Sequence, residues 1–234
     1  MVGTKALEGT RALIGTRALV IGASGGIGAA VSTALKARGA QVTGLSRRDD
    51  GLDVTREETV KARLGSLEGP FDLVFTATGA LHGAGHAPEK TFRALESEAM
   101  AAQYAVNAVG PAMVLKHAID LLPRDRRAVI AVLSARVGSI GDNLMGGWYS
   151  YRAAKAAVNQ LVRTAAIELA RTHRQAICVA LHPGTVETGF TADFKGRPMV
   201  SPRLAARNLL SVIDRLTPED SGGFYDWNGK RVPW

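Results

Sequence analysis

The sequence predicts a doubly wound α/β fold, one parallel sheet with helices on both faces, on three observations. Short apolar runs alternate with longer amphipathic ones along most of the 234 residues. The short runs are continuously apolar, as expected of strands buried on both faces. A glycine-rich turn, Gly22 to Gly28, then joins the first apolar run to the first helical pattern. Ligands of such folds bind beyond the carboxyl ends of the strands.

The strand candidates are "RALVIG" (17–22), "QVTGLS" (41–46), "DLVFTA" (72–77), "AVIAVLS" (128–134), "AICVALH" (176–182) and "GGFYDW" (222–227). Helical patterns cover Gly26 to Arg38, Ser97 to Leu122, Tyr151 to Arg171 and Pro202 to Leu216. Ser201 and Pro202 give the last of these an N-cap and a proline at the first helical position. No composition shift divides residues 15–234, which are expected to form a single domain. At the start of the chain, the five-residue motif Gly-Thr-Lys/Arg-Ala-Leu recurs every six residues, from Gly3, Gly9 and Gly15. That period suits neither helix nor strand, so residues 1–14 are expected to be a mobile extension.

Composition narrows the function. Hydrophobic residues make up 46% and charged residues 21% of the chain, as in globular proteins. No run approaches the roughly 18 apolar residues of a membrane helix, and no secretory signal is expected at the start. The single cysteine, Cys178, sits in an apolar strand and excludes an internal disulfide framework. These features predict a cytoplasmic location and no membrane partner. The net charge is +8, but the basic residues are scattered. No basic helix is interleaved with aromatics, so nucleic acid is not an expected partner. A polyanionic cofactor accounts for part of the excess.

The strand ends carry the candidate site. "GASGGIG" brings Gly22, Ser24, Gly26, Ile27 and Gly28 to the start of a helix, whose free N–H groups suit a dinucleotide's phosphates. The second strand ends in Ser46, Arg47 and Arg48, where a carboxylate would hold a free ribose 2′-hydroxyl. Arginine suits a 2′-phosphate instead, so NADP(H) is the expected cofactor; solvated surface arginines are the alternative. Asp53 and Val54 are placed to line the adenine. Ala77 and Gly79 end the third strand, and Gly79 would let the chain pass close to the cofactor ribose. Pro111 has no N–H, so the carbonyl of Asn107, four residues back, loses its helical partner and can hold water.

Tyr151 and Lys155 in "YRAAK" are four apart and share one helical face. A nearby ammonium favours the phenolate and makes the tyrosine a candidate acid and base. Tyr149 has Ala153 four residues on and is read as a pocket wall. No cluster suggests a metal site.

Taken together, "GASGGIG", "VN" at Asn107, "YRAAK" and "HPGTVET" (182–188) resemble the short-chain dehydrogenase/reductase family, from about residue 15 onward. The segment before Tyr151 and the ending "GGFYDWNGKRVPW" resemble its carbonyl-reductase subgroup, which includes the sniffer and C-factor proteins. The resemblance implies a Rossmann-type fold and an NADPH-dependent reductase acting on a small-molecule carbonyl. It implies Tyr151 as the acid, Lys155 on the nicotinamide ribose, and Asn107 holding a water in a relay to Lys155. Pro183, Gly184, Val186 and Thr188 would cradle the nicotinamide, with a substrate lid over about 188–201. Helices 97–122 and 151–171 would form the usual interface of a homo-oligomer.

Two departures stand out. The family's "NNAG" is "TATG" at Thr76 to Gly79. The family's serine pair is Ser134-Ala135, so the hydroxyl beside the substrate carbonyl falls to Ser134, to Ser139, or to neither. The reading adopted is Ser134. Ala135 also motivates a rival: a dinucleotide-binding sensor or signalling protein with vestigial activity.

Overall fold

The computed structural model describes residues 13, 15–82, 85–194, 196 and 198–234. Residues 1–12 and 14 of the expected extension lie outside them. Leu13, near its end, packs on the core and donates its N–H to the Arg38 carbonyl at 2.8 Å.

Six strands form one parallel sheet: β1 (Arg17–Ile21), β2 (Gln41–Leu45), β3 (Leu73–Thr76), β4 (Ala128–Leu133), β5 (Ala176–His182) and β6 (Phe224–Asp226). Their order is β2-β1-β3-β4-β5-β6, with every neighbouring pair parallel. The chain winds outward from β1 to β2, then crosses back to β3. The switch point between β1 and β3 opens a crevice at the carboxyl ends of the strands.

Helices cover both faces. One face packs α1 (Gly26–Ala37) and α7 (Pro202–Arg215) around Val20, Phe75, Leu133 and Leu181. The other packs α3 (Glu57–Gly65), α5 (Gly110–Ala118) and α6 (Tyr149–Leu169) around Ile21, Val132, Cys178 and Ala180. Alternation along each strand serves both cores, which is why these strands read as unbroken apolar runs. Burial pushes the Cys178 thiol up to about 12, so it behaves as a small apolar residue.

Several elements differ from the sequence reading. The α2 turn (Arg47–Asp50) and α3 were not expected. Only Val60 and Leu64 of α3 are buried, too few to show a periodic pattern. The helix expected over 97–122 is α4 (Ser97–Tyr104), a π-helical stretch Ala105–Val109, and α5. Proline within an α-helix clashes with the carbonyl four residues back and costs about 3 kcal/mol. The wider turn accommodates Pro111, and Gly110 donates to the Ala105 carbonyl, five residues back.

Candidate active site

Between Ile21 and α1 the chain turns through Gly22, where φ is +85° and a Cβ would lie 3.0 Å from the Ala77 backbone. A Cβ at Gly28 would lie 2.2 Å from the Gly22 carbonyl oxygen. Glycine is therefore required for this turn to pack. Gly25 stands at the N-cap of α1, and no side chain caps the helix. The first N–H groups of α1 thus remain available at the positive end of the helix dipole, an arrangement that fits a dinucleotide diphosphate.

Beyond β2, the two acids that follow the arginines are already engaged. Asp49 donates its N–H to Ser46 Oγ at 3.0 Å, and its carboxylate pairs with Arg48 at 2.8 Å. Arg48, then Ser46, hold that carboxyl below its ordinary range. Asp50 accepts from the Ser46 N–H at 2.8 Å. Arg47 is exposed and has no ion pair among the described residues. Asp53 accepts from the Thr55 hydroxyl at 2.7 Å and from its N–H at 3.0 Å, and the hydroxyl chiefly holds it below its ordinary range. Val54 is buried against Gly110, where a Cβ would lie 2.8 Å from its methyl.

At the centre, Gly79 lies between Asn107 and Lys155. A Cβ on it would fall 3.1 Å from Asn107 Oδ1 and 3.6 Å from Lys155 Nζ. Asn107 is fully buried in the π-helical stretch. Its amide donates to the Ala80 carbonyl at 2.8 Å and to Gln103 Oε1 at 2.6 Å, while its Oδ1 accepts from the Ala80 N–H at 3.2 Å. Gln103 in turn donates to the Leu81 carbonyl at 2.6 Å. Lys155 donates to the Leu133 carbonyl at 3.1 Å and lies 5.8 Å from the Tyr151 ring centroid. Burial lowers Lys155 to about 8 and raises Tyr151, the only resolved cause for either. The phenol is therefore neutral at physiological pH, a proton donor rather than a standing phenolate.

Glu89 fixes the start of α6. Its backbone carbonyl accepts from the Trp148 N–H at 2.6 Å, and its buried carboxylate accepts from the Ser150 N–H at 3.2 Å and from the Ser150 hydroxyl. Trp148 is held at φ 54°, the only non-glycine positive φ among the described residues.

A cavity of about 580 Å³ opens over these groups. Gly26 and Ile27 form one end, Ala77 and Gly79 the wall from β3, and Tyr151 and Lys155 the floor. Ser134 and Ala135 reach it from the end of β4. Pro183, Gly184, Val186 and Thr188 line the opposite side, beyond β5. Gly22, Ser24 and Gly28 are in the turn behind its wall, and Asn107 supports it from below. Ser46, Arg47, Asp53 and Val54 lie outside it, past the β2 end.

The segment after Val186 is closed at its base. Glu187 donates to the Val200 carbonyl at 2.9 Å, and Val200 donates to the Thr185 carbonyl at 3.0 Å. Thr188 packs its methyl where a Gly26 side chain would stand, 2.5 Å from the Cβ position. Phe190 lies 6.0 Å from the Tyr151 ring, and Phe194 stacks on Trp148 at 5.6 Å. Lys195 and Arg197 of this segment lie outside the described residues.

Sequence reasoning missed Glu89 and Gln103 as parts of the site, placed Phe194 only within the lid segment, and gave His182 no role. His182 lines the cavity, and "HPGTVET" was the available signal. Glu89 and Gln103 act on backbone groups far from them in sequence, which no local pattern reveals. Among the described residues no group of His, Cys, Asp and Glu is placed to hold a metal ion, and no helix is long and apolar enough to cross a membrane.

Residues 16–197 match the family described as short chain dehydrogenase. The chain is 34% identical over 230 residues to 1-hydroxy-2-glutathionyl-2-methyl-3-butene dehydrogenase of Rhodococcus sp. (strain AD45), covering 92% of this chain and 97% of that protein. It is 38% identical over 136 residues to C-signal of Myxococcus xanthus, covering 58% of this chain and 78% of that one. The solved structure of NADPH-bound carbonyl reductase from chicken fatty liver superposes with a TM-score of 0.78 at 23% identity, over 97% of this chain and 96% of that one.

Proposed function

The chain belongs to the short-chain dehydrogenase family, and from that premise we propose that it is an NADPH-dependent reductase of an aldehyde or ketone. The observation that carries the reading is the convergence of Tyr151, Lys155 and Gly79, supported by Asn107, on a cavity that starts at an uncapped helix.

NADPH, when bound, supplies the hydride. Tyr151, protonated because it is buried, gives its proton to the carbonyl oxygen as charge develops there, and takes one back in the reverse direction. The ammonium of Lys155 stabilises the phenolate left behind and meets the nicotinamide ribose. Asn107, fixed by Gln103 and Ala80, keeps Gly79 and the loop after it in place and holds a water in the relay to Lys155. Pro183, Gly184, Val186 and Thr188 orient the nicotinamide, Asp53 and Val54 flank the adenine, and residues 188–201 form the lid over substrate. Arg47 reads the 2′-phosphate, a role supported by its exposure and by its having no ion pair among the described residues. The relative from Rhodococcus is named for an alcohol, the same chemistry read in the oxidative direction. Residues 15–234 act as one domain in a cytoplasmic protein, and α4, α5 and α6 supply the homo-oligomer interface.

The test is oxidation of NADPH by the full chain against a panel of carbonyl compounds. Tyr151→Phe is expected to lower kcat by about 10²–10⁴ while NADPH affinity stays near wild type. A fully active variant, or a wild type inert towards every carbonyl yet binding NADPH, counts against the reading.

Ala135 and the similarity to C-signal favour a second reading, a dinucleotide-binding sensor or signalling protein with vestigial activity. It predicts NADPH binding and a partner protein, with the biological effect intact in Tyr151→Phe.

A further inference from the structure

Ala135 leaves the substrate oxygen with Tyr151 as its evident donor, although the site contains another polar side chain without an assigned role. β4 and β5 pair through Leu133 and Leu181, and the Ser134 N–H extends the ladder by donating to the Leu181 carbonyl at 2.8 Å. Leu133 and Leu181 face the core beneath α1 and α7, whereas Val132 and Ala180 face the core beneath α6. Alternation therefore turns Ser134 and His182 towards α6, the helix that carries Tyr151 and Lys155. They stand side by side on neighbouring strands about 4.8 Å apart.

Each has a buried polar atom without a hydrogen-bond partner among the described residues, Ser134 Oγ and His182 Nδ1. Such atoms are rare in folded proteins, and each calls for an explanation. A hydroxyl and a neutral imidazole nitrogen are complementary as donor and acceptor. Their positions, side by side on one face of neighbouring strands, put the two side chains within reach of each other. Ser139 is already occupied, because its buried hydroxyl accepts from the Asp142 N–H at 3.1 Å, and it does not reach the cavity.

We propose that His182 is a catalytic residue: its Nε2–H donates to the substrate carbonyl oxygen, while the Ser134 hydroxyl donates to its Nδ1. The proposal rests on the reductase reading. Ser134 then acts through His182, as a positioning residue, and the imidazole fills the place left by Ala135.

The surroundings keep the ring neutral. Burial lowers His182 to about 4, opposed by Asp226 and reinforced by Arg136. Asp226, its register partner on β6, already accepts at Oδ1 from the N–H groups of Asn228 and Lys230, both at 2.9 Å. Arg136 is paired with Asp142 at 2.5 Å. With Ser134 donating to Nδ1, the single ring proton must sit on Nε2. A neutral imidazole can polarise a carbonyl in this way without surrendering its proton to the alkoxide, which leaves protonation to Tyr151.

The test uses the full chain with NADPH and a carbonyl it reduces, comparing wild type, His182→Phe, His182→Gln and Ser134→Ala. His182→Phe is expected to lose about 10²–10³ in kcat, with the dissociation constant of NADPH unchanged by fluorescence titration. His182→Gln, whose amide N–H falls near the Nε2 position, should recover about tenfold of that loss, and Ser134→Ala should lose about tenfold. Wild-type kcat in His182→Phe, or a loss seen only as weaker NADPH binding, would overturn the proposal. Nitrogen-15 NMR of histidine-labelled wild type, with Ser134→Ala to identify the signal, decides the same point without turnover. The Nε2–H tautomer at pH 7 is expected, and an Nδ1–H tautomer or an imidazolium refutes it. A wild type that reduces no carbonyl defeats the reductase reading itself, a result distinct from the failure of His182 alone.

Discussion

Lys155 is buried with its ammonium on the Leu133 carbonyl, and that burial sets a measurable pH limit. Its value falls from an ordinary 10.5 to about 8, while Tyr151 is shifted upward and keeps its proton over the same range. The kcat/KM for NADPH, which reports the free protein's groups, is therefore expected to hold below about pH 8 and to fall above it as Lys155 loses its charge; a pH profile of the wild type checks this. A limb that instead rises from pH 8 to 10 would show that the neutral amine is the active form. The sign for stability is opposite. The folded protein binds less of this proton than the unfolded chain between about pH 8 and 10.5, so this group favours folding increasingly as pH rises through that window. The pairing of Tyr151 with Lys155 was legible because four residues make one helical face. Gln103 and Asn107 are also four apart, but the bond that anchors Gln103 to the Leu81 carbonyl, 22 positions away, was not legible.

At the scale of elements, the segment beyond β5 is held against the body of the protein by aromatic contacts. Phe194 stacks on Trp148, which Glu89 holds at the start of α6. An aromatic pair of this kind contributes about 0.5–1.5 kcal/mol beyond area burial. Phe194→Ala is expected to raise KM for the carbonyl by about 2- to 13-fold with little change in kcat or in NADPH affinity. Steady-state kinetics decide: an unchanged KM would mean that the stack does not close over substrate. The strands β1, β3, β4 and β5 were legible as largely apolar runs between turn residues, whereas β2, QVTGL, is mixed and partly exposed. The boundaries shifted where packing outweighed pattern. The Phe224–Asp226 strand is shorter than its six-residue run, and the π-helical stretch ahead of Pro111 interrupts what reads as one long helix. α3 escaped notice because it turns only two side chains inward.

For the whole molecule, the switch point between β1 and β3 brings the ends of β1, β3, β4 and β5 to one cavity, so ligand binding there draws on the centre of the sheet. Ligand at a hundred times its dissociation constant stabilises the folded state by about 2.7 kcal/mol. For a chain of this size that amounts to a rise in Tm of roughly 5–10 °C. Thermal melts are expected to show this rise with NADPH and a smaller one with NADH at the same concentration, and Arg47→Asp should reverse the ranking. Equal shifts in the wild type would remove Arg47 as the reader of the 2′-phosphate. The α/β architecture and the order of its strand ends were readable in the chain, whereas the close approach of Thr188 to Gly26 was not, since it joins residues 162 positions apart. That contact implies an order of events. A diphosphate settling on the glycine turn would lie against the root of the segment beyond β5. The nucleotide is thus expected to enter first and depart last, and product-inhibition kinetics check this: spent nucleotide should compete with fresh nucleotide rather than with the carbonyl compound.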